Sequence, residues 1–452
     1  VALIGDLNQQ IDGTLAPILG PGDRCVLLDF PAHGNVGDSA IWLGERAWLE
    51  RRGVEITYVC DRTTFSKSAV ADAVGTGTIL LHGGGNFGDI WQPHQAFRQE
   101  VITSFPHNRI VQLPQTLHFQ NPDELERARA IVNAHDHLLI LCRDRESHAF
   151  ARTHFRAQAV LCPDMAFQLG HIDPPGERGP GVVWLARTDP ESAIGEMRRP
   201  TNGLEPTDWL TDTPTAVVAA AQHLQDRLRR DPSDRAAILE APALYDAVAR
   251  ERVLRGCRTL AAGQVVVTDR LHGHILCELM GLPHVLLDNN YGKLRRFFQT
   301  WTWRSRLVRW ASSVEHAATV AQRLAGRAAT PPRWSEEVAG LGTHIDALVP
   351  SGRRFLLLDQ DEYRTSLDVR GTPVPFPERE GTYWGPPAGD DDAIRDCDDM
   401  AKRGIEYAVV TRSAFWWLVH YPRFHRHLRE HYRCVLENDL ALIFDLRGPS
   451  AI

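Results

Sequence analysis

The feature that most constrains this chain is the spacing of its apolar runs. Val26–Phe30, Glu55–Val59, Thr78–Leu81, Arg109–Leu113 and Leu138–Cys142 are short and rich in apolar or β-branched residues, and stretches of helical character such as Ser39–Arg52 and Pro122–His135 lie between them. Strands separated by helices of that length predict right-handed βαβ units and a parallel sheet. The segment HIDPPGERGPG, His171–Gly181, breaks the alternation and reads as a linker. The pattern resumes at Val182–Arg187, Val265–Asp269 and His284–Asn289 and fades in a helix after Ser313. The expected fold is α/β, with two Rossmann-like doubly wound domains, residues 1–172 and 181–349, facing each other across a cleft. A smaller α/β module, 351–452, follows. In such sheets ligands bind at the carboxyl ends of the strands.

Composition narrows the function classes. The formal net charge is −7 across 452 residues, against the basic stripe expected of a nucleic-acid binder. No apolar run reaches the roughly 18–20 residues that span a bilayer, and no signal-peptide pattern opens the chain, so the expected location is cytoplasmic. The eight cysteines stand singly without metal-site spacing and are expected to be buried, reduced thiols.

Two turns carry nearly the same letters. HGNVGDSA, His33–Ala40, and HGGGNFGDI, His82–Ile90, each follow an apolar run, so each predicts a strand opening into a helix at the cleft edge. Glycine lets a ligand approach the backbone, and a helix start offers free N–H groups to an anion. Asn35, Asp38, Asn86 and Asp89, with Gly84 and Gly85, are therefore candidate ligand-facing residues. Their alternative is capping the helices that follow.

The sharper signal lies in VVVTDRLHGHI, where a buried strand runs into Arg270, Leu271, His272 and His274. Arginine grips phosphate or carboxylate with a planar fork, and histidine exchanges protons near neutrality. LILCRDRES places Arg143 and Arg145 at another strand end, so two arginine clusters are expected to converge on a small, highly charged anion. Asn289 and Lys293, after the next strand, reach the same cleft; the alternative for Lys293 is a solvated helix start. His274 is expected in the first helical turn beside His272, and no metal site is expected.

Taken together, GNVGDSAI, LHGGGNFGD, QLPQTLHF, CRDRES, CPDMAF, TDRLHGHI and DNNYGK resemble, in order, the polysaccharide pyruvyl transferases over about residues 25–305. The resemblance implies a fold like that of the GT-B glycosyltransferases. It also implies transfer of pyruvate from phosphoenolpyruvate, the donor substrate, onto two sugar hydroxyls as a cyclic ketal, with no cofactor. It implies that Arg270, Leu271 and His272 bind the anion, that Arg143 or Arg145 is a second arginine, and that His118 is the histidine after the Pro-Gln turn. On that chemistry Arg143 and Arg270 clamp the donor and His272 and His118 transfer protons, with the acid and base roles open between them. The implied acceptor is a sugar, glycolipid or polysaccharide repeat; a lipid-linked acceptor implies peripheral membrane contact. Loops such as Gly85–Gln95 and Phe65–Asp72 are expected to select it. Two alternatives share the fold: a GT-B glycosyltransferase using a nucleotide sugar, and a non-catalytic sugar-binding protein.

In the module beyond 351, Asp359 and Asp361 read as a strand end rather than a metal pair, His427 and His431 as a solvated helix face, and Trp416, Trp417, Tyr383 and Trp384 as packing.

Overall fold

A computed structural model describes residues 2–176, 178–188, 205–288, 292–311, 313–326, 334–359, 363–364, 366–383, 387 and 389–448. It comprises two compact units, Val1–Ala329 and Thr330–Ile452.

The first unit holds two parallel sheets. One contains β1 (Arg24–Leu28), β2 (Glu55–Cys60), β3 (Thr78–Leu81), β4 (Gly84–Gly88), β5 (Ile110–His118), β6 (Leu138–Cys142) and β7 (Gln158–Leu161), in the order β2-β1-β3-β5-β6-β7, with β4 paired to the far end of β5. The interior strands are buried on both faces, as near-continuous apolar runs demand. The second contains β8 (Val182–Leu185), β9 (Pro206–Thr207), β10 (Val265–Thr268), β11 (His284–Leu286) and β12 (Val308–Trp310), in the order β12-β11-β10-β8-β9.

Each order reverses once, between β1 and β3 in the first sheet and between β8 and β10 in the second. At such a switch point the following connections leave to opposite sides and open a crevice at the strand ends. Asp29 and His82 stand just beyond β1 and β3, and Arg187 and Arg270 just beyond β8 and β10; all four line one cavity.

The long helix Arg235–Ala261 ties the halves together. Its Asp246 carboxylate accepts from Trp42 Nε1 at 2.9 Å and Arg46 Nε at 3.1 Å, both on the helix Val36–Arg51. Its Tyr245 ring stacks on Phe30 at 4.0 Å, and Arg252 donates to the Pro31 carbonyl at 2.7 Å. The two expected Rossmann-like domains thus form one compact unit.

The second unit has β13 (Arg354–Leu358), β14 (Thr372–Pro375), the short pair β15 (Glu378–Arg379) and β16 (Thr382–Tyr383), β17 (Tyr407–Thr411), β18 (Arg433–Glu437) and β19 (Ala441–Asp445). Its main sheet runs β14-β13-β17-β19-β18, parallel as far as β17 and antiparallel beyond. The expected boundary at 349–351 moves toward the N-terminus. The helix Trp334–Leu348 buries Leu341 and Ile345, with Val349, against Phe355, Leu357 and Tyr407 of this sheet.

Three expectations for this unit change or close. Asp359 is buried and accepts the N–H groups of Tyr363 and Arg364, so it closes a turn; Asp361 lies outside the described residues. His427 is half-buried rather than solvated, its Nε2 2.7 Å from Asp398. Trp416 and Trp417 are buried as packing residues, while Trp384 lies outside the described residues.

Candidate active site

The cavity between the two switch points holds about 460 Å³. Its walls carry Arg62, Arg143, Arg187, Arg270 and Lys293, with Asp29 and Asp38 as carboxylates. Five cations around one small space make it a seat for an anion.

Arg143 extends from the end of β6 and is fully buried. Its Nε donates to Thr116 Oγ1 at 2.9 Å and its Nη1 to Asp164 Oδ2 at 2.7 Å. Its backbone carbonyl accepts from Trp301 Nε1 at 2.7 Å, a residue from the second half of the unit. The guanidinium is thereby fixed, and Nη2 is left buried with no hydrogen-bond partner. Nη2 faces Gly85: a Cβ built there would lie 2.7 Å from it and 2.2 Å from Lys293 Nζ. Gly85 therefore lets two cationic groups pack side by side directly on its backbone at the cavity wall. Lys293 is buried at the cavity wall, not solvated. Arg145, by contrast, is exposed on the helix Arg145–His154 and lies outside the cavity lining, so the structure separates the two arginines.

His272 opens the helix Leu271–Met280 after β10. Its Nε2 lies 3.3 Å from Asp164 Oδ2, the oxygen that also accepts from Arg143. Burial opposes the charge on Asp164, but His272 and Arg143 prevail and hold its carboxyl well below the usual range. The imidazole packs against Gly37, where a Cβ would come within 2.3 Å of its Nδ1. Leu271 lines the same wall. Arg270 is buried with its fork already engaged, Nε and Nη2 each 2.6 Å from an Asp208 oxygen, so an incoming carboxylate competes with Asp208 for it.

The repeated Gly-Asn-x-Gly-Asp letters fold in two ways. In the first copy Asn35 caps the helix Val36–Arg51, accepting from the Gly37 N–H at 3.1 Å, and donates to Asp38 at 2.8 Å. Both line the cavity. Burial disfavours the Asp38 carboxylate, yet His33, His272, His82 and His94 lower its pKa to about 2. The second copy starts no helix; it is strand β4, and the next helix begins at Gln92. Asn86 lines the cavity, but its Oδ1 is held by Arg98 Nη2 and Gln115 Nε2, at 2.6 and 2.9 Å. Asp89 turns away and accepts the N–H groups of Gln120 and Asn121, and Gly84 lies outside the lining.

Besides Arg145, Gly84 and Asp89, two further expected site residues are placed outside the cavity lining. His118 ends β5 outside the cavity lining, its Nε2 3.3 Å from the Gln120 amide, because β5 runs past the crevice before it ends. His274 is wholly buried: its Nδ1 meets His284 Nε2 and its Nε2 meets Thr302 Oγ1, both at 2.7 Å. With Glu278 and His284 it has metal-ligand proximity, but both nitrogens of each ring are hydrogen-bonded. Burial lowers the pKa of both histidines, which fits a neutral chain. Asn289 lies outside the described residues. Of the loops expected to select the acceptor, Gly85–Gln95 supplies Trp91, Pro93 and His94 to the wall, whereas Phe65 packs on Phe97 in the core.

The structure also shows wall residues that the motifs concealed. His82 and His33 stand directly before the two glycine turns; behind the wall, Asp164 of CPDMAF holds Arg143 and His272. His94 pairs with Asp29 at 2.9 Å, and Asp29 holds a left-handed backbone with φ of 72° at the end of β1. A histidine preceding each glycine turn was the available signal; His33 meets Asp38 of its own motif, whereas the partner of His82, Glu45, comes from a distant segment.

Much of the chain is similar to known proteins. Residues 35–291 match the family described as polysaccharide pyruvyl transferase. A Bacillus subtilis protein assigned as pyruvyl transferase EpsO is 31% identical over 321 residues, 69% of this chain and 96% of that one. Pyruvyl transferase 1 of Schizosaccharomyces pombe is 32% identical over 291 residues, 62% of this chain and 69% of that one. A crystal structure of a functionally uncharacterized Klebsiella pneumoniae protein covers 68% of this chain and 99% of that one, with a TM-score of 0.48 and 18% identity. With more than half of its length matched and a cationic cavity at the strand ends of that region, the chain belongs to the polysaccharide pyruvyl transferase family.

Proposed function

We propose that the protein transfers the pyruvyl group of phosphoenolpyruvate onto two hydroxyls of a sugar in a glycan, glycolipid or polysaccharide repeat, closing a cyclic ketal. The observation that carries this reading is Arg143 Nη2, a buried cationic N–H without a protein partner, set beside Lys293 over Gly85. A buried donor left unpaired costs about 1–3 kcal/mol, a cost that an anionic ligand in the seat removes. Phosphoenolpyruvate presents both a phosphate and a carboxylate, enough charge for several such donors. Two relatives named as pyruvyl transferases support the same choice. We read the two facing sheets as a GT-B-like arrangement, with the acceptor entering past Trp91 and Trp209. A cytoplasmic protein acting on a lipid-linked acceptor would meet the membrane only at its surface.

In this reaction Arg143 and Lys293 hold the donor, Arg270 adds positive potential, and His272, oriented by Asp164, transfers a proton. The test is thermal unfolding with phosphoenolpyruvate and with a panel of nucleotide sugars, followed by mass spectrometry of candidate acceptors. A rise in Tm with phosphoenolpyruvate alone, and acceptor mass increased by one pyruvyl ketal, is expected. A rise confined to a nucleotide sugar would select the glycosyltransferase reading instead.

A further inference from the structure

The proposed reaction moves two hydroxyl protons, and they end in different places. The two hydroxyl oxygens form two new bonds to C2 of phosphoenolpyruvate. The C2–C3 π electrons take one proton, making a methyl group. The bond from C2 to the phosphate oxygen breaks with its electron pair, and phosphate carries off the second proton. No oxidant or reductant is required. Two oxygen additions therefore converge on C2 and release two protons with different destinations, and His272 with Asp164 accounts for one of those transfers.

We propose that His82, backed by Glu45, is the second proton-transfer residue: its Nε2 takes a proton from an acceptor hydroxyl and passes it to the departing phosphate. The assignment rests on the pyruvyl-transfer reading above. His82 follows β3 at the switch point of the first sheet and lines the cavity. Its Nδ1 lies 2.8 Å from Oε2 of Glu45, which is fully buried and whose Oε1 accepts the Gly83 N–H at 2.8 Å. The carboxylate fixes the proton on Nδ1 and so leaves a lone pair on Nε2. Nε2 is itself buried and has no protein partner. A polar atom in that position is satisfied by whatever occupies the cavity.

Placement and charge agree. His82 begins the run His82–Gly85, and Arg143 and Lys293 pack on its last residue, so the base and the backbone that supports the two cations share one segment. Burial by itself would lower the His82 pKa, but Glu45, with Asp38 from the same helix and Asp29 beyond β1, more than offsets it. A base of raised pKa holds the proton it accepts until phosphate needs it.

The experiment compares wild type, His82→Asn and Glu45→Gln with phosphoenolpyruvate and a competent acceptor. Asparagine keeps a donor toward Glu45, and Tm checks that each variant is folded. For His82→Asn we expect kcat to fall about a hundredfold, with the Kd for phosphoenolpyruvate changed by less than about threefold. Glu45 is a positioning residue. Glu45→Gln removes the anion that raises the His82 pKa, so the acidic limb of the kcat profile should move to lower pH, which loss of packing alone would not do. A His82→Asn protein with near-normal kcat, a Glu45→Gln profile that superposes on wild type, or the kcat loss appearing in His94→Asn instead would overturn the assignment. A folded wild-type protein that makes no ketal from phosphoenolpyruvate with any acceptor would remove the pyruvyl-transfer reading first, which keeps the two failures apart.

Discussion

At the residue scale, the proposed reaction assigns two glycines to different halves of the site, one for binding and one for chemistry. Gly85 faces the ends of Lys293 and Arg143, whereas Gly37 faces the ring of His272. Neither needs a left-handed backbone, so alanine is conformationally allowed at both, and what changes is the neighbour it pushes. Gly85→Ala should displace the two cations and weaken phosphoenolpyruvate binding by about ten- to hundredfold, the value of one charge-assisted hydrogen bond. Gly37→Ala should leave that affinity nearly intact and lower kcat, because the imidazole must swing from Asp164. Titration calorimetry beside steady-state kinetics separates the two. Equal losses of affinity and kcat in both variants would show that the halves are not separate.

At the scale of elements, the site depends on how two sheets are pinned at their switch points. Asp246 on the bridging helix serves Trp42 and Arg46 together, so Asp246→Ala leaves a buried indole N–H unpaired and should cost roughly 1.5–3 kcal/mol in chemical denaturation. Asp269, after β10, accepts the Arg187 N–H at 2.8 Å and so couples the ends of β8 and β10. Burial raises its pKa from 3.8 to about 6. A folded-state pKa above the unfolded value means the stabilising term is fully present below about pH 3.8 and is lost as pH rises through about 6. That interval corresponds to roughly 3 kcal/mol. Asp269→Asn should therefore shrink the fall in stability between about pH 4 and about pH 7 that the wild type shows in urea titrations; an unchanged difference would mean that Asp269 is not its source. The βα spacing made these elements legible, and Arg270-Leu271-His272 marked one switch point. The same letters at 33–40 and 82–90 did not reveal that the second copy is a strand. Its Asn86 is claimed by Gln115 and Arg98, partners that the local sequence does not contain.

At the scale of the whole molecule, apolar alternation revealed a separate C-terminal α/β unit but misplaced its edge. The helix Trp334–Leu348 follows another helix, Val314–Gly326, and nothing in its own pattern says which core receives its apolar face. The structure assigns Leu341 and Ile345, with Val349, to the sheet formed by β13 and β17. Among the described residues, all that line the cavity belong to the first unit. Two truncations then have different fates. A chain ending near residue 329 retains both parallel sheets and should fold, bind phosphoenolpyruvate and keep a cooperative thermal transition. A chain ending at 349 carries the same body plus a helix whose Leu341 and Ile345 have lost Phe355, Leu357 and Tyr407. Burying a leucine or isoleucine side chain is worth about 1.5–3 kcal/mol, so that helix should be exposed, prone to association and readily cut by protease. Limited proteolysis and size-exclusion chromatography of the two truncations provide the comparison. Equal solubility with a protease-resistant 334–348 segment in the longer chain would return that helix to the first unit and move the boundary back to 349.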